Sequence, residues 1–156
     1  MSMYISFYIR EKDSFIPIGT YSRSNVVFQT LQGDVPFEGI RAITKEDLFH
    51  YSFEVEKSIK ENKEKIDEEE KIKKEIATFN NSVEEKLNEI GGINDFINGI
   101  KEDIEDLTHA NYFFYFLQEI IEEIEYDKGS DEDIKKRIYA GIEVYKPTLA
   151  DVRGED

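Results

Sequence analysis

Two histidines stand in nearly the same setting, Glu46-Asp47-Leu48-Phe49-His50 and Glu105-Asp106-Leu107-Thr108-His109. On a helix, an acid three or four residues before a histidine shares its face. Pairs of that kind on two helices, joined by two further glutamates, are the ligand set of di-metal bundles. Here the three-apart acid is aspartate in both copies, and the helical register argued below sets His50 opposite residue 122. That is about 13 residues from His109, or roughly 20 Å at about 1.5 Å per residue. The motif therefore predicts histidines bonded to helical neighbours and no single intramolecular metal site, and no metal or cofactor is expected.

Other constellations give way sooner. The run Asp127-Lys128-Gly129-Ser130-Asp131-Glu132-Asp133 begins like a calcium loop, but its twelfth position is Ile138, where a bidentate glutamate belongs. It reads as a turn and helix N-cap. Gly91-Gly92 and Gly99 follow no strand and precede no phosphate-binding lysine at the required spacing. Adjacent acids such as Glu122 and Glu123 imply no pocket in which one could act as acid and the other as base. Cysteine is absent, which removes disulfides, thiolate ligands and a thiol nucleophile, and fits a reducing compartment. No residue set supports catalysis, so the expectation is a non-enzyme with no catalytic residues.

Charge is the largest global signal. The chain of 156 residues carries a formal net charge of -15, and residues 84–133 hold sixteen acids against Lys86, Lys101 and Lys128. A field of that sign repels phosphate backbones and anionic lipids and attracts basic proteins. The expected partner is thus a basic protein, with no direct nucleic-acid binding and no membrane. Glu102, Asp103, Glu105 and Asp106, with Glu122 and Glu123, are the candidate contact residues. No segment reaches the roughly 20 apolar residues of a membrane helix, and the start lacks a signal-peptide pattern, so the expected location is cytoplasmic. Heavy use of Ile, Lys, Glu and Asn without Trp is common in AT-rich bacterial and phage genomes.

The elements that would position these groups follow from periodicity. Met3, Ile5, Phe7 and Ile9 alternate with polar residues, a polar turn at Glu11 to Ser14 follows, and Phe15 to Thr20 resumes an extended pattern in which Pro17 marks an edge. The first twenty residues predict a β-hairpin. Ser22 or Ser24 can N-cap a short helix over Val26 to Leu31, with Gly33 placed to end it in the left-handed conformation. Asp34-Val35-Pro36 is then a loop. Thr44 and Asp47 form a capping-box-like start for a helix of more than thirty residues, its stripe Leu48, Val55, Ile59, Ile66, Ile72 and Ile76 interrupted by Asn62. Acid-first i,i+4 pairs such as Glu56 with Lys60 and Asp67 with Lys71 flank it and describe a solvated stalk.

Asn80-Asn81-Ser82 breaks that helix. Ser82 and Glu85 start a short one ending at Gly91-Gly92, and a second long helix begins near Ile93, its stripe being Ile93, Phe96, Ile97, Ile100, Ile104, Leu107, Phe114, Leu117, Ile121 and Ile124. The two long helices should lie antiparallel. A turn at Gly91-Gly92 alone would bury the run Tyr112 to Phe116 against Asp67 to Lys71, which is costly. With Asn80 to Gly92 as a capped tip, Phe79 faces Ile93 and the aromatic run faces Val55 to Lys60. The second register is preferred, and Tyr112 to Phe116 are assigned to the core. Ser130 and Asp133 open a further short helix. Residues 138–145 fit a third strand or a helix, Pro147 stops either, and 148–156 read as a loose tail.

The expected fold is α+β and helix-dominated, one domain over 1–156. A small head containing an antiparallel β-hairpin comes from 1–43 and about 128–147, and 44–127 forms a long antiparallel helical hairpin or coiled-coil stalk. The expected function is a non-enzymatic protein-binding module, such as a phage or mobile-element inhibitor whose acidic helices occupy a basic nucleic-acid-binding surface of a host protein. The alternative is a structural or assembly coiled coil that homodimerises through its long helices, with Asn62 specifying register.

Overall fold

A computed structural model describes residues 3–79, 82–126 and 137–153. The head holds a four-stranded antiparallel sheet and the stalk is a pair of long helices, in the order β1 (Tyr4–Glu11), β2 (Ser14–Ser22), α1 (Val26–Leu31), β3 (Gly39–Ala42), α2 (Lys45–Thr78), α3 (Val83–Tyr126) and β4 (Ile138–Ile142). Across the sheet the strands run β2-β1-β4-β3. The N-terminal hairpin forms as its alternation requires, with Lys12 taking the left-handed turn position (φ 57) and Pro17 on the edge strand β2. Residues 138–142 are a strand, and it is central, with Ile5 beside Ile142 and Arg41 beside Ala140. All five of its residues are buried. β3 carries no sequence signal of its own: four residues, Gly39 to Ala42, become a strand only because β4 offers a ladder.

Local capping chemistry is only partly as expected. α1 is capped by Asn25, whose side-chain oxygen accepts from the Val27 amide at 2.8 Å, in place of Ser22 or Ser24. It ends at Gln32 in ordinary right-handed geometry, and Gly33 shows no left-handed φ. At α2 the reciprocal box is complete: the Asp47 amide donates to Thr44 Oγ1 at 3.1 Å and the Thr44 amide to Asp47 Oδ2 at 3.0 Å.

The larger correction concerns Gly91-Gly92. α3 is a single helix of 44 residues that passes straight through both glycines. Two glycines cost a helix about 1 kcal/mol each, too little to break one that extends well beyond them in both directions. α2 therefore ends at Thr78 and α3 starts at Val83, with Ser82 Oγ accepting from the Glu85 amide at 3.2 Å and Lys86 Nζ reaching the Ala77 carbonyl at 3.4 Å. With no capped tip the register shifts by about one turn. Asn111 and Tyr115 both donate to Glu56 Oε1 at 3.2 Å, inside the expected Val55 to Lys60, and the Tyr51 ring lies 5.8 Å from Phe114, so the aromatic run reaches further toward the start of α2 than expected.

The sheet's inner face packs on the hairpin. Phe7 is fully buried, with ring centroids at 5.4 Å from Phe113, 5.9 Å from Phe114 and 6.4 Å from Tyr51. Ile5, Ile138, Ala140 and Ile142 of the sheet, Val27, Phe28 and Leu31 of α1, and Leu48, Val55, Leu107 and Leu117 of the long helices complete that core. Gly19 allows the close approach, since a Cβ there would lie 2.6 Å from Phe113 Cζ. The opposite face has a smaller core of Tyr8, Ile40 and Tyr139.

Thr148 to Arg153, expected as a loose tail, dock on the sheet. The Thr148 amide donates to Asp151 Oδ2 at 2.7 Å, Val152 bridges Ile40, and the Arg153 amide donates to the Ile40 carbonyl at 2.7 Å. That covers the outer edge of β3. The expected helix at Ser130 to Asp133 and the turn over 127–133 lie outside the described residues. Among the described residues no helix is long and apolar enough to cross a membrane.

Two outcomes check this arrangement. Gly91→Ala and Gly92→Ala should each raise stability by about 0.5 to 1 kcal/mol in chemical denaturation, as expected inside a helix and not at a turn. Gly141→Ala should lose about 2 kcal/mol or more, because its Cβ would collide with the Gly39 carbonyl oxygen and crowd Ile40 Cγ2 at 2.9 Å. A second check uses pH. Burial pushes the hydroxyls of Tyr21 and Tyr51 up to about 12, from about 10 in an unfolded chain. The native state holds these protons more tightly, so their contribution is complete below pH 10 and is lost as pH climbs toward 12. Helical ellipticity should collapse in that window together with tyrosinate absorbance, and Tyr51→Phe should move the collapse to higher pH.

Candidate protein-interaction face

The sequence-derived acids fall into two places on α3. Glu102, Asp103, Glu105 and Asp106 lie midway along the stalk, with Asp103 half-buried and the other three exposed. Glu122 and Glu123 are exposed near its end. Sixteen residues separate Asp106 from Glu122, roughly 24 Å along a helix at about 1.5 Å per residue, so the two groups do not form one site. Among the described residues no cation pairs with the mid-stalk acids, while Lys45 sits 3.8 Å from Glu122 and 3.1 Å from Glu125. The hydrogen bond to Glu125 is the main reason that the Lys45 ammonium is held above its ordinary value. Glu119, Glu122, Glu123 and Tyr126 line a shallow depression at this end of α3.

The histidines stay apart. His50 Nε2 lies 3.1 Å from Asp34 Oδ1, on the loop after α1, whereas His109 is exposed on α3. Among the described residues no group of three or more potential metal ligands forms.

A feature the sequence reading missed is aromatic. Of the run Tyr112 to Phe116 assigned to the core, Phe114 is fully buried and Phe113 packs against the core, but Tyr112 is 67% exposed, Tyr115 47% and Phe116 54%. A helix can turn only part of its circumference toward a sheet and a partner helix, so a stretch apolar all round leaves some rings outside. α2 does the same with Phe49 (58%) and Phe53 (62%), one turn apart and off the Leu48-Val55-Ile59 stripe. The polar bridges between the helices fix the geometry. Glu56 and Lys45 point from α2 toward α3, and they meet Asn111, Tyr115, Glu122 and Glu125. At about 100° per residue, Phe49 and Phe53 follow on the side of that seam away from the sheet, and Tyr112 and Tyr115 do so on α3. Four aromatic side chains thus share the outer face of the hairpin at its head end, with Phe116 at its margin. The signal was available in the sequence as Phe49 and Phe53 at i,i+4 outside the apolar stripe.

The chain matches no protein-family model, and no curated protein or solved structure matches it. The functional reading therefore stands on these surfaces alone.

Their separation from the core has a direct consequence. Phe53→Ser with Tyr112→Ser should leave the thermal midpoint within a few degrees of the parent, since exposed positions usually contribute within about 0.5 kcal/mol. Phe114→Ala, next to Tyr115 in sequence but about 100° around the helix from it and fully buried, should cost about 3 to 5 kcal/mol. Scanning calorimetry of the two variants side by side distinguishes surface from core.

Proposed function

We propose that this chain is a non-enzymatic protein-binding module that acts in the cytoplasm on a basic partner. The observation that carries the reading is the excess acidity of α3: Glu102, Glu105, Asp106 and Glu123, none of them paired with a cation among the described residues, are exposed along one continuous helix with Glu122, which Lys45 approaches at 3.8 Å. Held on a rigid rod, those carboxylates present negative charge at spacings a basic, nucleic-acid-binding surface would accept in place of phosphates. A host protein of that kind, blocked by a phage or mobile-element inhibitor, agrees with the codon-driven bias toward Ile, Lys, Glu and Asn.

Assembly of two copies through the long helices is less well supported. Asn62, the residue suited to setting intermolecular register, is 9% exposed within its own chain and donates to the Ser58 carbonyl at 2.9 Å. An isologous contact along α3 would also set carboxylate against carboxylate.

The test is affinity capture from bacterial lysate at low and high salt, with light scattering on the purified chain. One basic nucleic-acid-binding protein should be captured, released by salt, and lost when Glu102→Lys, Glu105→Lys and Asp106→Lys are combined. A salt-resistant homodimer that captures no partner would overturn the reading.

A further inference from the structure

The outer aromatic face asks for a cover that no described residue supplies. Phe49, Phe53, Tyr112 and Tyr115 belong to two helices whose backbone hydrogen bonds are internal, so no strand can add to this face. The shallow seam between two antiparallel helices suits a third helix laid along it, its apolar side chains between the rings. Charge selects the kind of helix. Glu46, Glu119, Glu122 and Glu123 are exposed toward the head end of the same region, and Lys57 and Lys60 lie toward the tip. Lys45, the nearest cation among the glutamates, is engaged by Glu122 and Glu125. The Tyr115 ring is held in place by its hydroxyl, which donates to Glu56. Exposed rings framed by carboxylates favour lysine and arginine side chains, which can lie over an aromatic face and still reach an acid.

We propose that this face is a docking surface for a basic amphipathic helix of a partner protein, whose apolar stripe meets Phe49, Phe53, Tyr112 and Tyr115 and whose cations meet Glu119 and Glu123. The inference rests on the acidic-binder reading and adds where the partner is gripped and by what. A second copy of the chain is the weaker occupant, because a two-fold contact here brings the glutamates of one copy onto those of the other.

The probe is a synthetic Leu/Lys amphipathic helix about four turns long. Its controls are a shuffled peptide of the same composition and polylysine, each titrated into the full chain by calorimetry and by two-dimensional NMR. The amphipathic peptide should bind more tightly than the shuffled one and shift resonances at the four aromatic residues. Phe53→Ser with Tyr112→Ser should weaken it about tenfold or more, the size of an aromatic hot spot, and leave polylysine binding unchanged. Equal binding of amphipathic and shuffled peptides, insensitive to the double variant, would overturn the docking surface while sparing the acidic reading. Failure of polylysine and both peptides to bind would overturn both. A homodimer that the double variant dissociates would assign the face to a second copy and overturn the proposal.

Discussion

Phe7 is where the two halves of this molecule meet. Its ring stands against Phe113, Phe114 and Tyr51 at 5.4 to 6.4 Å, so one side chain of the first strand joins both long helices to the sheet. Neither half is self-sufficient. A sheet of strands this short needs a partner layer to be stable, and toward its tip, over residues 63–78 and 83–106, the helical hairpin buries few side chains among the described residues: Ile76, Ile97 and Ile100. The strand pairing that seats Phe7 links residues more than 130 positions apart, Ile5 with Ile142 and Phe7 with Ala140. Stability is thus concentrated at the head, and the stalk extends from it as a solvated pair of helices whose apolar tip residues Phe79, Val83 and Leu87 are exposed.

That same docking divides the aromatic run of α3. Once Phe113 and Phe114 face the sheet, the 3.6-residue repeat turns Tyr112 and Phe116 away from it, and no rotation of the helix could bury all five rings. Phe49 and Phe53 are exposed for the corresponding reason, because Leu48, Tyr51 and Val55 take the inward positions. The outer face is therefore aromatic as a by-product of the geometry that builds the core. The carboxylates of Glu119, Glu122 and Glu123 beside it turn an apolar surface into one with a preferred sign of partner.

Much of this was legible locally. The period-2 pattern of β1 and β2 and the Thr44–Asp47 box depend on contacts within a few residues and formed where the spacing placed them, whereas the three-four stripes of the long helices held only in part, since Ile72 and Phe96 are exposed. Gly91-Gly92 misled because glycine weakens a helix by a fixed, modest amount while the flanking turns supply cooperativity that a local reading does not count. β3 and the docked segment at Val152 and Arg153 had no periodicity to show, being too short for any, and Ile40 became a strand residue through β4 on one side and the tail on the other. The candidate acids and their separation along α3 were visible in the sequence, but which of them meets a cation, as Glu122 does with Lys45, was not.

Residue types and spacing were enough to establish a helix-dominated α+β chain and its net negative charge, since each of these is a property of neighbouring residues or of a sum over the chain. Which side of each helix faces inward, where the hairpin turns, and which aromatic rings stay in water were decided only in three dimensions. Those outcomes depend on how a sheet assembled from both ends of the chain sits across two helices, and the pairing of Phe7 with Phe114 involves residues too far apart for any local pattern to encode.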